Sequence, residues 1–302
     1  AAYHARPMSA ARSHTATANL LALATIALWA SLAALGTALA HVPPFLLTGL
    51  GLLAGSVIAL PLVRFDVRRL AVTPRALALG VYGLFGYHFL LFTALQLAPP
   101  VEANLVNYLW PLGIVLMAPL LLPGVRLSAA HVLAALVGLA GAAIAILGRG
   151  GAASAAGAHP LAALGFAAAA GAAFIWSSYS LLSKRMAQSG HAFPTAAIGT
   201  FGLVSGVLSL LCHVLLEPAV TLQARDWVLL AVLGLGPLGA SFFMWDKALK
   251  LGDARHIGIL SYITPLASTT LLIVVSGRSF SWSIALATVM IISAAVMGMR
   301  AR

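Results

Sequence analysis

Apolar runs of about 20 residues recur along the whole of this chain. They lie at about 17–39, 43–63, 74–97, 100–122, 128–148, 161–184, 192–216, 227–249, 255–276 and 281–299. A helix of about 20 apolar residues crosses a bilayer, and the first run exceeds the roughly 7–15 residues of a signal-peptide core. Only 8% of the 302 residues are charged, against about 25% in a soluble domain. We therefore predict an all-α integral membrane protein with ten transmembrane helices.

Basic residues are distributed unevenly between the segments that join these predicted spans. With the N-terminus inside, 13 of the 17 Lys and Arg residues fall in cytoplasmic segments, three fall outside, and Lys247 lies within a span. The three external residues are Arg149, Arg225 and Arg278. Cytoplasmic loops of membrane proteins carry an excess of Lys and Arg. We therefore predict cytoplasmic N- and C-termini, and we attribute the net charge of +11 to orientation rather than to a nucleic-acid partner.

A segment rich in Gly and Ala divides the chain into halves. Residues 148–160 read GRGGAASAAGAHP, a composition typical of a flexible linker. The predicted organisation is a cytoplasmic tail at 1–16, a five-helix repeat at 17–148, an external linker at 149–160 and a second five-helix repeat at 161–302. Because five is an odd number, the second repeat enters the membrane from the opposite side. Inverted repeats of this kind are typical of alternating-access carriers.

Polar and aromatic residues occur together within the predicted fourth span. At about 100° per residue, Asn107, Tyr108, Trp110 and Pro111 share one arc of the helix. Pro111 has no N–H, so it frees the carbonyl of Asn107, and a free carbonyl at membrane depth is tolerated where it lines a watery cavity. Part of this motif returns 154 residues later as Tyr262 and Pro265. We predict that this span forms the wall of a translocation path and that the two prolines act in gating.

Other spans supply further candidates for substrate binding. Aromatic residues at predicted mid-depth or on polar helix faces are Trp29, Tyr87, Trp176 and Tyr179. His88 is an ionisable group near the bilayer centre, which marks a functional site by default, although a neutral, hydrogen-bonded histidine is the alternative. The predicted substrate-binding residues are Trp29, Tyr87, His88, Asn107, Tyr108, Trp110, Trp176, Tyr179 and Tyr262. Glu102 lies off the polar arc. Its carboxylate either interacts favourably with the helix dipole in the first turn or couples transport to protons.

Motifs for catalysis and cofactors do not support an enzyme. The sequence has no Walker A motif, no H-E-x-x-H and no C-x-x-C, so we predict no nucleotide, metal or cofactor. The G-x-G-x-x-G match at Gly234–Gly239 lies inside an apolar run and not after a strand. The rival from another functional class is an intramembrane hydrolase using Ser205 and His213.

Two short motifs carry a family resemblance. Residues 101–111 read VEANLVNYLWP and residues 261–265 read SYITP. Together with ten spans, inverted halves and tryptophans in spans one and six, they resemble the drug/metabolite transporter superfamily with its EamA-type repeats. Within that superfamily the motifs are similar to those of exporters of aromatic amino acids.

The resemblance implies a secondary exporter of aromatic and hydrophobic neutral amino acids, working by alternating access through a central cavity. Its expected location is the bacterial inner membrane, with the lipid bilayer and a small-molecule substrate as partners and a monomer as the functional unit. The alternative within the superfamily is an exporter of drugs or small cationic metabolites. Such an exporter would need a membrane-embedded acid facing the cavity, and Glu102 is misplaced for that role.

Overall fold

The structure is a computed structural model that describes residues 8–98, 100–147, 161–276 and 282–301. Within these ranges every regular element is helical. The predicted linker at 149–160 lies outside the described residues, as do residues 1–7 of the predicted tail. The first helix already begins at Met8, inside the stretch predicted to be the tail.

The described α-helices are numbered in chain order. They are α1 (Met8–Ala30), α2 (Leu32–Ala38), α3 (Pro44–Ser56), α4 (Ala59–Leu62), α5 (Pro74–Val81), α6 (Tyr87–Leu97), α7 (Pro100–Asn107), α8 (Trp110–Leu121), α9 (Ala129–Leu147), α10 (Ala162–Gln188), α11 (Ala197–Leu216), α12 (Ala224–Leu235), α13 (Ser241–Leu251), α14 (Ala254–Leu260), α15 (Ile263–Ser276) and α16 (Trp282–Arg300). Two π-helical turns, Tyr82–Gly86 and Gly236–Ala240, join α5 to α6 and α12 to α13.

Eight helical segments in the described ranges are long and apolar enough to cross a membrane. They are His14–Ala38, Pro44–Leu62, Pro74–Leu97, Ala103–Leu121, Ala162–Gln188, Ala197–Leu216, Ala224–Leu251 and Trp282–Arg300. Of the two remaining predicted spans, the fifth holds the shorter apolar helix Ala129–Ile144. The ninth is divided into α14 and α15. The chain therefore crosses the membrane several times.

Irregular turns recur at one fixed spacing. The π turns begin at Tyr82 and Gly236, which are 154 residues apart, and each is followed by an 11-residue helix. Breaks also divide α7 from α8 and α14 from α15, just before Pro111 and Pro265. Proline supplies no backbone donor and crowds the preceding turn, which explains a break at that point.

Helix packing follows the same internal correspondence. The helix α1 packs along α13 and α15, and α10 packs along α6 and α8. Three further contacts join α3 to α11, α9 to α16 and α8 to α14. Exchanging the helices before residue 148 with their counterparts after residue 161 converts the contacts of α1 with α13 and α15 into those of α10 with α6 and α8, and it leaves α3–α11 and α9–α16 unchanged. The α8–α14 contact does not follow this correspondence, because its counterpart, α7 against α15, is not among the main contacts of the described helices.

Two glycines of the third segment allow this close packing. A Cβ atom on Gly80 would lie 2.1 Å from Cγ of Phe201, and one on Gly83 would lie 2.3 Å from the ring of Tyr179. Neither position has room for a side chain. The two glycines are therefore explained by two aromatic rings that pack directly on the helix backbone.

Candidate substrate cavity

A cavity of about 520 Å³ lies between the helices. Its wall includes eight of the residues predicted from sequence: Trp29, Tyr87, His88, Asn107, Tyr108, Trp110, Trp176 and Pro265. They come from α1, α6, α7, α8, α10, α15 and the α7–α8 break. The structure thus brings together residues that are far apart in the chain.

Tryptophans form the deep end of this cavity. The ring centroids of Trp29, Trp110 and Trp176 lie 5.8–6.4 Å from one another, and the ring planes are steeply inclined. Edge-to-face contacts at these distances are favourable, because the positive ring edge meets the negative ring face. Trp245 lies 5.2 Å from Trp29 by ring centroids, beneath the cavity, and is 1% exposed.

Hydrogen bonds hold two of the four indole groups. Nε1 of Trp29 donates to Oγ of Ser241 at 3.1 Å, and Nε1 of Trp245 donates to Oγ of Ser180 at 3.1 Å. The first bond joins α1 to α13 and the second joins α13 to α10. These two rings are therefore fixed in orientation as well as in position.

Polar groups stand on the wall beside the aromatic rings. Nδ2 of Asn107 donates to the hydroxyl of Tyr87 at 3.2 Å, while its buried Oδ1 has no hydrogen-bond partner among the residues described. Nδ1 of His88 lies 2.6 Å from the carbonyl oxygen of Leu84 and must carry the proton to bond there. In the neutral ring this leaves Nε2 as an acceptor.

Three predicted site residues do not line the cavity in this structure. The ring of Tyr179 lies against Gly83 and Trp176, behind the cavity wall. Tyr262 is fully buried in a cluster with Ala142 and Ile291. Pro111 is buried within α8. Each of these three side chains makes packing contacts instead.

Several lining residues were not among the predicted site residues. They include Phe242, Thr264, Ser268 and Thr48. Thr264 lies 154 residues after Trp110, so the internal correspondence was a signal that could have found it. Phe242 lies 5.6 Å from Trp176 by ring centroids, and only the packing of α13 against α10 shows this proximity.

Charge is absent from the described lining, which contains no Asp, Glu, Lys or Arg. The side chain of Glu102 lies outside the described part of the chain. Among the described residues, no group of three or more His, Cys, Asp or Glu is placed to hold a metal ion. The lining therefore favours a solute without net charge.

A buried ionic network occupies the opposite end of the helices. Asp246 is 2% exposed and accepts hydrogen bonds from Oγ of Ser183 at 3.1 Å, Oγ1 of Thr195 at 2.8 Å and Nζ of Lys250 at 2.7 Å. Nζ of Lys184 donates to the carbonyl of Leu249 at 2.7 Å. These contacts tie α10 to α13 on the side away from the cavity.

Comparison with known proteins identifies the family. The chain matches the EamA-like transporter family over residues 16–147 and 163–299. The chain belongs to that family. It is 42% identical over 284 residues to the aromatic amino acid exporter YddG of Ancylobacter novellus, covering 93% of this chain and 96% of that protein. A crystal structure with 40% sequence identity superposes with a TM-score of 0.85 and covers 94% of this chain and 97% of its own.

Membership in the EamA-like transporter family confirms the predicted superfamily and shows that the chain is a transporter rather than an enzyme. The structure agrees with this at the rival hydrolase pair. Oγ of Ser205 has no hydrogen-bond partner in the part of the chain described, and Nδ1 of His213 lies 3.0 Å from Oε2 of Glu217. The nucleophile and the base of a hydrolase would be within hydrogen-bonding distance of each other.

Proposed function

We propose that this EamA-like transporter is a secondary exporter of aromatic and hydrophobic neutral amino acids in a bacterial inner membrane. The observation that carries the proposal is a cavity of about 520 Å³ with tryptophan walls and no charged side chain in its described lining. Small-molecule sites are apolar cavities of about 300–1,000 Å³ with a few placed polar groups. The name of the Ancylobacter relative, an aromatic amino acid exporter, supports the same substrate class.

The proposed binding mode separates the two ends of the substrate. The aromatic rings of Trp29, Tyr87, Tyr108 and Trp176 hold its side chain. Asn107 and Nε2 of His88 offer acceptors to its ammonium group. Burial of one aromatic side chain contributes about 1.5–3 kcal/mol, and one ring contact adds about 0.5–1.5 kcal/mol. The total is near the roughly 4.1 kcal/mol of millimolar affinity, before the cost of association, which suits a carrier that must release its substrate.

We also propose alternating access between two inverted five-helix repeats, 17–148 and 161–302, with ten spans and cytoplasmic termini. The 154-residue spacing of the π turns and of the proline breaks supports two equivalent halves. Pro111 and Pro265 are the proposed gating points, because each stands at a break within its span. The functional unit is a monomer in the bilayer, and no nucleic acid takes part.

Counterflow in liposomes tests the substrate class. Liposomes that contain the protein and are preloaded with phenylalanine should take up labelled phenylalanine and tryptophan but not labelled lysine or aspartate. Trp110→Ala removes one aromatic contact and should reduce uptake about tenfold to 100-fold, the equivalent of about 1.5–3 kcal/mol. Trp282 is 90% exposed, so Trp282→Ala serves as the matched control and should transport normally. Equal uptake by the two variants per folded molecule would rule out the cavity as the substrate site.

The same liposomes distinguish the proposed function from the alternative, an exporter of drugs or small cations. An organic cation needs a carboxylate or a comparable acceptor to offset its charge in a dry site. The described cavity lining offers none, which favours the amino acid. Uptake of a labelled aromatic cation with no uptake of phenylalanine would support the alternative.

A further inference from the structure

Hydrogen-bonding capacity differs among the four clustered tryptophans. The indole N–H groups of Trp29 and Trp245 each have a serine acceptor at 3.1 Å. Those of Trp110 and Trp176 have no acceptor within the described ranges. Both of the latter residues line the cavity, although they are only 4% and 3% exposed.

Neither indole nitrogen is among the fully buried atoms that lack a hydrogen-bond partner, so each donor remains accessible from the cavity that its ring lines. An indole N–H can only donate, so whatever completes these two groups must be an acceptor that enters the cavity. An amino acid carries one strong acceptor, its carboxylate. Because the described lining has no Lys or Arg, no cationic side chain competes with the indoles for this group.

We propose that the indole N–H groups of Trp110 and Trp176 receive the carboxylate of the transported amino acid, an assignment that rests on the proposed function. The acceptors Oδ1 of Asn107 and Nε2 of His88 then remain for the ammonium. Donors and acceptors on one wall thus match the two ends of a zwitterion.

The two rings are held in a fixed relation before substrate arrives. Their centroids lie 6.4 Å apart and their planes are inclined by 86°. Oγ of Ser177, the neighbour of Trp176, lies 2.8 Å from the carbonyl oxygen of Trp110 and 2.7 Å from that of Ala173, so its single O–H is shared between the two acceptors. This bond ties α8 to α10 at the tryptophan pair itself. Groups fixed in advance lose little freedom on binding, which favours capture of a small ligand.

Neutral donors also suit release. A hydrogen bond from an indole to a carboxylate is charge-assisted, but it has no counter-charge to make an ion pair. A lysine or arginine in the same place would bind the carboxylate more tightly and would also attract inorganic anions. The tryptophan pair thus selects a carboxylate attached to an apolar body.

Replacement of each tryptophan by phenylalanine keeps an aromatic ring and removes only the indole N–H and part of the ring area. The measurement is inhibition of phenylalanine counterflow by unlabelled L-phenylalanine and by its primary amide, which keeps the ring and the ammonium but lacks the carboxylate. In the wild-type protein the acid should inhibit better than the amide. We expect this preference to fall about tenfold in Trp110→Phe and in Trp176→Phe. Trp245→Phe should keep it, because that N–H is bonded to Ser180.

An unchanged preference in both variants, with counterflow intact, would overturn the carboxylate assignment alone. Absence of phenylalanine counterflow in the wild-type protein would overturn the proposed function and the assignment together. A measurement on the wild-type chain covers the case in which the variants do not fold. Among the six tryptophans, labelled with ¹⁵N at the indole, two N–H resonances should shift further with phenylalanine than with its amide, because a carboxylate is the stronger acceptor. Equal shifts with the two compounds would refute the assignment.

Discussion

Replacement of Asp246 by asparagine tests whether the buried network keeps the end opposite the cavity closed. The carboxylate accepts from Ser183 on α10, from Thr195 before α11 and from Lys250 on α13. These elements have to separate if that end opens. Asparagine has nearly the same shape, but one of its oxygens becomes an NH₂ group that cannot accept a hydrogen bond, and its charge is lost.

The magnitude follows from burial and partners. Removal of one member of a buried ion pair costs about 3–5 kcal/mol. The side chain of Lys250 is 16% exposed and also donates to the carbonyl of Phe193 at 3.0 Å, so the lower end of that range applies. About 3 kcal/mol corresponds to about two powers of ten in the equilibrium between closed and open forms of this end.

Labelling of one buried cysteine provides the assay. Ser180 is 0% exposed and lies next to Trp245, beneath the cavity. In a background where the single native cysteine, Cys212, is replaced by serine, Ser180→Cys should react slowly with a maleimide. Adding Asp246→Asn should accelerate the reaction by about two powers of ten, because labelling requires opening.

Asp226→Asn is the matched control. Asp226 is likewise a buried acid with a hydrogen-bonded partner, here His41 at 3.0 Å, but it stands near the cavity end of the molecule. The Asp226→Asn substitution should not accelerate maleimide labelling of the cysteine introduced by Ser180→Cys. If Asp246→Asn also leaves the labelling rate unchanged, the network does not hold this end closed.

Three further predictions concern packing, gating and topology. Gly80→Ala places a Cβ atom 2.1 Å from Phe201 and should lower stability by about 1–3 kcal/mol in thermal unfolding, whereas Gly36→Ala, with nothing within 4 Å, should unfold like the wild-type protein. Pro111→Ala or Pro265→Ala restores a backbone donor and should shift the populations trapped by crosslinks across the two ends; unchanged populations in both variants would contradict the gating role. A protease site inserted near Gly151 should be cut when protease is added to spheroplasts, which expose the external face of the inner membrane, and protection there would reverse the proposed topology.

Hydropathy predicts where the helical segments lie, because the length of an apolar run is a local property of the chain. The breaks at Pro111 and Pro265 were predictable for the same reason, since a missing N–H acts on its own turn. The π turns were not predictable in this way. The turn at Tyr82–Gly86 is seated where Gly83 meets the ring of Tyr179, and that contact joins distant parts of the sequence.

The site was only partly predictable, because a helical wheel shows which residues share a face of a helix but not which other helix or cavity that face contacts. Asn107, Tyr108 and Trp110 share an arc and line the cavity together. Tyr179 also lies on an aromatic face, yet its helix α10 directs it against Gly83. Phe242 lies in an apolar stretch without any polar signal, so its place in the wall is decided entirely by the packing of α13.

The two halves of each broken span meet different surroundings in this structure. The cavity is lined by α7 and the break after it, through Asn104 and Tyr108, and by the start of α15, through Thr264. The other halves, α8 and α14, pack against each other. There a Cβ atom on Gly258 would lie 3.1 Å from Cγ2 of Ile114. Gly258 stands 154 residues after Asn104, so equivalent positions of the two halves meet a packed helix at one end and a cavity at the other. Under the alternating access that we propose, these two environments are exchanged, and the absence of a side chain at Gly258 permits the close approach that seals one end.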